Sequence, residues 1–171
     1  MNASQIRERL NFTDEKLLAE CELQRYRASG PGGQKRNKTD SAVRLIHTPS
    51  GCSATATESR SQHDNRRKAL RRLRFQLAIQ FRMPSQDRPE WPTGIQPQGT
   101  VLKVRPNNPS IPLFLALILD EIHCHAGHIR KVAAARGVST SSLVRVLASV
   151  PLAFQEVNRQ REEWGLGRLK R

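Results

Sequence analysis

Three glycines and a glutamine stand close together in the segment Arg27–Asp40, which reads RASGPGGQKRNKTD. Glycine costs backbone entropy wherever it lies, so Gly30, Gly32 and Gly33 indicate a backbone shape or a close approach that a Cβ would prevent. Gln34 follows them directly, and an amide has no useful pKa near neutrality. If Gln34 takes part in a reaction, it must therefore act by its position. For a glycine pair alone, the competing interpretation is a flexible surface turn.

The residues around Gln34 favour a role in binding nucleic acid over a simple turn. Five bases of the types that bind phosphate flank it: Arg25, Arg27, Lys35, Arg36 and Lys38. Asn37 and Thr39, like Gln34 itself, can hydrogen-bond to a sugar or a base edge.

The charge of the chain also points to nucleic acid. Lys and Arg number 29 against 15 Asp and Glu, giving a net charge of +14, and residues 25–82 hold 14 of the bases but only 3 of the acids. At 171 residues such an excess indicates nucleic acid first and an anionic membrane surface second. Because no apolar run is long enough for a signal peptide or a spanning helix, we expect a soluble cytoplasmic protein with no membrane contact.

The chain must position this loop with a few short elements. A helix is predicted at 13–20, a strand at 22–27, and a hairpin of strands at 43–48 and 52–57 that places Cys52, Ala54 and Ala56 on one face. Apolar residues spaced by three and four predict an amphipathic helix over 61–81. The stripe comprises Leu70, Leu73, Leu77 and Phe81. We expect it to lie on a small mixed sheet, while the arginines face solvent or phosphate.

The rest of the chain is predicted to be a linker and a helical domain. Seven of the ten prolines fall between residues 83 and 112, which excludes regular helix and leaves room for a short strand at 101–104. Helices are then predicted at 113–125, 129–136, 139–149 and 151–164. The fold class is thus α+β, with domains at 1–82 and 113–171 joined by a proline-rich linker at 83–112.

Several motifs in order carry a resemblance to a known family. They are Ser29-Gly30-Pro31-Gly32-Gly33-Gln34, Asn37-Lys38-Thr39, Ser41-Ala42-Val43-Arg44, Pro49-Ser50-Gly51, Arg60-Ser61-Gln62 and Asn65-Arg66. Over roughly residues 22–80 the chain resembles the catalytic domain of class I peptide chain release factors and of related ribosome-rescue hydrolases. An ordered set of this kind is far more specific than a lone Gly-Gly-Gln.

The resemblance implies hydrolysis of the ester between a nascent peptide and its tRNA, with catalytic roles for Gly32, Gly33 and Gln34. In this family the glycines let the loop enter the ribosomal active site, the glutamine N–H stabilises developing charge, and its side chain admits water. Gln34 is also a candidate for N-methylation. The remaining matched positions and nearby bases are expected to contact RNA: Arg27, Lys35, Arg36, Asn37, Lys38, Thr39, Arg60, Gln62, Arg66, Arg67 and Arg71.

The family resemblance separates two kinds of hydrolase. Factors that read stop codons carry a recognition domain with a P-x-T or S-P-F peptide, and neither peptide occurs in this sequence. We therefore expect codon-independent release on stalled ribosomes by a monomer that needs no cofactor or metal. The expected partners are large-subunit rRNA and peptidyl-tRNA.

Two other functions stay open on the sequence alone. Lys35 and Arg36 stand where the family usually has a histidine and a small apolar residue, so one rival is a ribosome or RNA binder without turnover. The other rival is a DNA-binding regulator, because residues 132–145 resemble a helix-turn-helix with Gly137 in the turn, Val138 in the core and Ser139 as the cap. In that case Thr140, Ser141 and Arg145 would be the exposed contacts. His123, Cys124, His125 and His128 point in different directions on a helix, which argues against a metal site.

Overall fold

The structure is a computed structural model that describes residues 1–26, 41–83, 89–105 and 107–170. The elements in this part of the chain are, in order, α1 (Ala3–Leu10), α2 (Asp14–Ala19), β1 (Cys21–Tyr26), β2 (Ala42–His47), β3 (Ser53–Ala56), α3 (Gln62–Gln80), α4 (Ile111–Cys124), α5 (Ile129–Ala135), α6 (Thr140–Ala148) and α7 (Pro151–Glu163). The mixture of helix and sheet agrees with the predicted α+β class.

Contacts divide the chain into two compact units. The first consists of Met1 with Phe12–Leu77, and the second of Asn2–Asn11 with Ala78–Arg171. The division falls within α3. The predicted division into domains 1–82 and 113–171 stays a prediction.

The described sheet is antiparallel, so the predicted mixed sheet is wrong. Its order is β1-β2-β3, with Tyr26 opposite Ala42 and Ile46 opposite Ser53. The segment between β2 and β3 is too short for the crossover that parallel strands need, so these two strands must be antiparallel. Cys52, Ala54 and Ala56 are all buried, which confirms that they share the covered face.

Helix α3 begins at a serine cap and buries three of the four residues of the expected apolar stripe, whereas Phe81 lies after the helix and is half-buried. The Ser61 hydroxyl accepts a hydrogen bond from the Asp64 N–H at 3.2 Å, which satisfies one of the unpaired donors at the helix start. Leu70, Leu73 and Leu77 are at most 3% exposed. The prediction of a long amphipathic helix is confirmed.

Helix α1 belongs to the second unit and was not predicted. The Asn2 side chain accepts from the Gln5 N–H at 2.9 Å and the Gln5 side chain accepts from the Asn2 N–H at 3.1 Å, which forms a capping box. Arg7, on the same helix, is buried and pairs with Asp120 of α4. No helix in the described ranges is long and apolar enough to cross a membrane.

The four helices that end the chain match the expected positions within two residues. Gly137 has φ +65° in the turn between α5 and α6, Val138 is buried, and the Ser139 hydroxyl accepts from the Ser142 N–H at 3.2 Å. The predicted strand at 101–104 is wrong, because only a single bridge joins Gln98 and Val101. The Leu102 N–H instead donates to Ser142 Oγ at 3.2 Å, so it bonds to α6 and not to a neighbouring strand.

Candidate functional site

The base of the glycine-rich loop is a pair of directly opposed strand residues. Tyr26 ends β1 and Ala42 begins β2, and the two are antiparallel partners. The residues between them that were assigned chemistry or RNA contact lie outside the described residues: Arg27, Gly32, Gly33, Gln34, Lys35, Arg36, Asn37, Lys38 and Thr39. The described site is therefore the scaffold from which this segment leaves and to which it returns.

Asn65 holds the point at which the segment returns to the sheet. Its Nδ2 donates to the Ser41 carbonyl at 2.6 Å and to the Ser59 carbonyl at 2.8 Å. Its Oδ1 accepts from the Ser59 N–H at 2.9 Å. Asn65 is fully buried, so these bonds use both donors of its amide and satisfy its acceptor. One side chain of α3 thus fixes the start of β2 and the turn after β3.

The turn between β3 and α3 is ordered by its own serines. The Ser59 hydroxyl donates to Asp64 Oδ2 at 3.2 Å and accepts from the Ser61 N–H at 3.1 Å. Arg60 lies between the two serines and is exposed. This predicted RNA contact therefore stands on a turn whose backbone is held on both sides.

The predicted contacts on α3 form an exposed basic strip. Gln62, Arg66, Arg67 and Arg71 all lie on the solvent side of the helix. Arg67 is 3.8 Å from Asp64, with its side chain 72% exposed, and the Arg71 guanidinium lies 5.7 Å from the Phe75 ring centroid. A weak exposed ion pair leaves Arg67 able to bind phosphate.

Two other arginines of α3, Arg72 and Arg74, make hydrogen bonds and ion pairs within the first unit. Arg72 donates to the Thr55 carbonyl at 2.6 Å and pairs with Glu58 at 2.6 Å. Arg74 donates to the Phe12 carbonyl at 2.7 Å and to Asp14 at 3.0 Å. The expectation that all the helix arginines face solvent or phosphate is wrong for Arg74, whose side chain is 11% exposed, because a backbone carbonyl beside the helix needs a donor. Arg72 stays exposed while it makes its bonds.

The pKa values of two groups in the first unit, Glu58 and Cys21, are shifted from their ordinary values. Partial burial works to raise the pKa of Glu58, but the Arg72 hydrogen bond and charge outweigh it, so the pKa of Glu58 is lowered. Burial first, and the charge of Glu20 second, raise the pKa of the Cys21 thiol to about 11. Cys21 therefore stays protonated at neutral pH and offers no nucleophile beside the sheet.

His47 forms a further anchor that the sequence did not suggest. Its ring is fully buried, with Nε2 2.9 Å from Glu20 Oε2 and Nδ1 2.6 Å from Ser50 Oγ. It joins the residue before β1 to the turn after β2. The only sequence signal was the Pro49-Ser50-Gly51 turn, which does not identify the histidine as its partner.

Comparison with known proteins gives a family match across this scaffold. Residues 15–98 match the model of the RF-1 domain. Peptide chain release factor 2 of Acidithiobacillus ferrooxidans is 52% identical over 59 residues, covering 34% of this chain and 16% of that protein. Release factor 2 of Bordetella pertussis is 45% identical over 83 residues, covering 47% and 23%. Release factor 1 of Delftia acidovorans is 51% identical over 59 residues, covering 34% and 16%.

The chain spans about a fifth of the length of these relatives. The matched range contains the sheet, α3 and the segment with Gly32, Gly33 and Gln34.

Proposed function

Residues 15–98 match the RF-1 domain of peptide chain release factors, and on that premise we propose that this chain hydrolyses the ester of peptidyl-tRNA on the ribosome. The observation that carries the proposal is the family match over the whole loop-bearing scaffold. It confirms the resemblance found in the separate sequence motifs, which include Gly32-Gly33-Gln34.

The proposed reaction is attack of water on the ester carbonyl. A bond forms between the water oxygen and the carbonyl carbon, the bond to the tRNA ribose oxygen breaks, and a proton ends on that ribose oxygen. The backbone N–H of Gln34 would stabilise the developing negative charge, a contribution typically worth about 10²–10³ in rate. The Gln34 side chain would leave space for water and exclude larger nucleophiles.

The described residues support this proposal as a fixed base for the loop. Tyr26 and Ala42 hold the two ends together, and Asn65 binds Ser41 beside them. The exposed side chains of Arg60, Arg66 and Arg67 are available to contact rRNA phosphates. Preorganisation matters here because misplacing a catalytic group by about 1 Å can cost on the order of 10²-fold in rate.

The finer proposal is that release does not depend on a stop codon. The 171 residues contain neither the P-x-T nor the S-P-F peptide, and residues 111–163 form four helices. In this proposal the substrate complex is a stalled ribosome with an empty decoding site, and the protein acts as a monomer.

The test is peptide release from purified ribosomes that carry labelled peptidyl-tRNA in the P site. Three complexes should be compared, with a stop codon, a sense codon or no codon in the A site. We expect similar release from all three with the wild type. We expect a loss of at least tenfold with Gln34→Pro, which removes the backbone donor, or with Gly33→Ala, which restricts the backbone that presents it. Lys170→Ala is the control, since Lys170 is exposed and lies outside the matched range.

The results separate the proposal from its rivals. Release confined to the stop-codon complex would contradict codon independence. Ribosome binding without release would favour the non-catalytic binder suggested by Lys35 and Arg36. Equal release by wild type and both variants would rule out the assigned roles of Gln34 and Gly33.

A further inference from the structure

Apart from Lys170 near the chain end, five exposed bases of the second unit have no carboxylate partner among the described residues. They are Lys103, Arg105, Arg130, Lys131 and Arg145, and we call them the second basic surface. They lie on three elements: the segment 99–105, α5 and α6. Other arginines of this unit form ion pairs with carboxylates of α4 and α7.

Most acidic side chains of the second unit pair with other arginines; exposed Glu90, next to Pro89, whose carbonyl accepts from Arg136 at the end of α5, is an exception. No Asp or Glu occurs in residues 91–119 or 122–155. Asp120 pairs with Arg7 and Arg82, and Glu121 pairs with Arg136. Glu156 and Glu163 both pair with Arg159. These carboxylates are used by other arginines, so the charge of the second basic surface is not neutralised within the described chain.

Hydrogen bonds fix the three elements relative to one another. The Ser139 N–H donates to the Thr100 carbonyl at 2.7 Å, and the Leu102 N–H donates to Ser142 Oγ at 3.2 Å. These bonds lay the segment before Lys103 against the start of α6. The Gly137 turn joins α6 to α5. The cations therefore stand on a preformed support, which reduces the entropy lost when they bind a partner.

We propose that the second basic surface binds the phosphate backbone of double-helical RNA. Lys and Arg that neutralise phosphates release counterions, which drives association without reading sequence. The exposed side chains of α6 are those of Ser141, which is short, and Arg145, which is its single long hydrogen-bonding group. Reading base edges needs several such groups, so backbone contact fits this helix better than recognition of a DNA sequence.

The choice of RNA rests on the proposed function, which brings the chain to the ribosome. The predicted contacts on α3 belong to the first unit and this surface to the second, so residues of both units would contact RNA. It would add affinity to the complex and take no part in the chemical step.

The experiment compares two doubly substituted full-length chains. Arg130→Ala with Lys131→Ala removes two charges from the second basic surface, and Arg168→Ala with Lys170→Ala removes two from the chain end. Affinity for a 20-base-pair RNA duplex and for a DNA duplex of the same sequence is measured over a range of salt concentrations. Each lost phosphate contact costs about eightfold at 0.1 M salt. We expect the first variant to bind RNA at least about tenfold more weakly, with a salt slope lower by about two, and the second to bind nearly as the wild type does.

Equal losses in the two variants would overturn the proposal, because the effect would then follow net charge alone. Tighter binding of DNA than of RNA by the wild type, with the loss confined to the first variant, would overturn the choice of RNA. An unchanged melting temperature of both variants establishes that the surface, and not the fold, was altered. The duplex assay contains no peptidyl-tRNA, so a failure of peptide release would leave its result intact.

Discussion

Asn65 is the residue through which α3 controls the base of the loop. It is buried and bonds three backbone groups, two of them on Ser59 and one on Ser41. Removing it would leave these groups without their partner, and a buried polar group without one costs about 1–3 kcal/mol. The residue is thus both structural and, through Ser41, a positioning residue for the proposed chemistry.

We expect Asn65→Ala to lower the free energy of unfolding by about 2–4 kcal/mol, as judged from the cost of unpaired buried groups. Asn65→Asp should also destabilise the chain, because a carboxylate would face the Ser41 and Ser59 carbonyls without a proton to donate. Urea unfolding followed by circular dichroism measures both. Gln96→Ala is the control, since Gln96 is an exposed amide, and an equal effect of that change would contradict the anchor role.

The thiol of Cys21 provides a prediction about pH. Its pKa is raised to about 11 by burial and by Glu20, so its thiolate is scarce at pH 8, where an ordinary thiol with a pKa of about 8.5 is partly ionised. We expect iodoacetamide to modify exposed Cys124 first and Cys21 about 100-fold more slowly than an ordinary thiol at pH 8. The rate at Cys21 should keep rising up to about pH 11. Peptide mass spectrometry gives both rates, and a plateau for Cys21 near pH 9 would contradict the raised pKa.

At the scale of the elements, close packing beside glycine decides which turns tolerate change. Gly127 follows α4 with φ +76°, and a Cβ there would lie 2.9 Å from Trp164 Cε3 and 3.0 Å from Leu166 Cδ1. Gly137 has φ +65° with no neighbour within 4 Å of such a Cβ. Both turns need a left-handed backbone, but only the turn at Gly127 also lacks room for a Cβ.

We therefore expect Gly137→Ala to cost about 1–2 kcal/mol for the left-handed conformation alone. Gly127→Ala should cost about 1–3 kcal/mol more, because the new methyl group overpacks the site. Thermal unfolding of the two variants in parallel gives the comparison, and each serves as the control for the other. Equal melting temperatures would show that Trp164 and Leu166 move aside at little cost.

The sheet and the loop are separable elements. Since Tyr26 and Ala42 are direct partners, a short Asn-Gly turn can replace residues 27–40 and keep Ser41, whose carbonyl binds Asn65. We expect this variant to keep its circular dichroism spectrum and its melting temperature, because closing a shorter loop costs less entropy. It should lose peptide release completely. Loss of the folded spectrum would instead mean that the replaced segment supports the fold.

At the scale of the whole molecule, positive charge is concentrated where RNA contact is proposed. The chain carries +14, and residues 25–82 hold 14 of the 29 bases. Such a distribution raises the rate of encounter with a polyanion and makes binding fall steeply with salt.

We expect the affinity for 50S subunits to fall steeply as salt rises, with a slope lower by about two in Arg66→Ala with Arg67→Ala. The double variant Arg168→Ala with Lys170→Ala removes the same charge elsewhere and should leave the slope near the wild-type value. Co-sedimentation at several salt concentrations provides the measurement. A slope that changes equally in both would assign the effect to net charge.

Sequence periodicity was sufficient to predict α3, the hairpin and the last four helices, because these follow from local spacing of apolar residues and from caps such as Ser139. Helix α1 was missed because its stability depends on a capping box and on Arg7 meeting Asp120, a residue far away in the sequence. The buried anchors Asn65 and His47 were missed for the same reason. Asn65 and His47 act through partners 24 and 27 residues away, and spacing along the chain carries no record of such contacts.

The pairing of Tyr26 with Ala42 also sets a limit on distance. Gln34 is the eighth residue after Tyr26 and the eighth before Ala42, so it is the midpoint of the intervening chain. With both ends held together, a fully extended chain would allow Gln34 about 27 Å from the sheet at most, and this upper limit is smaller for every other residue of the segment. A single inserted or deleted residue on either side would move the midpoint away from the glutamine. The pairing register of β1 with β2 thus limits how far from the sheet the proposed reactive group can reach.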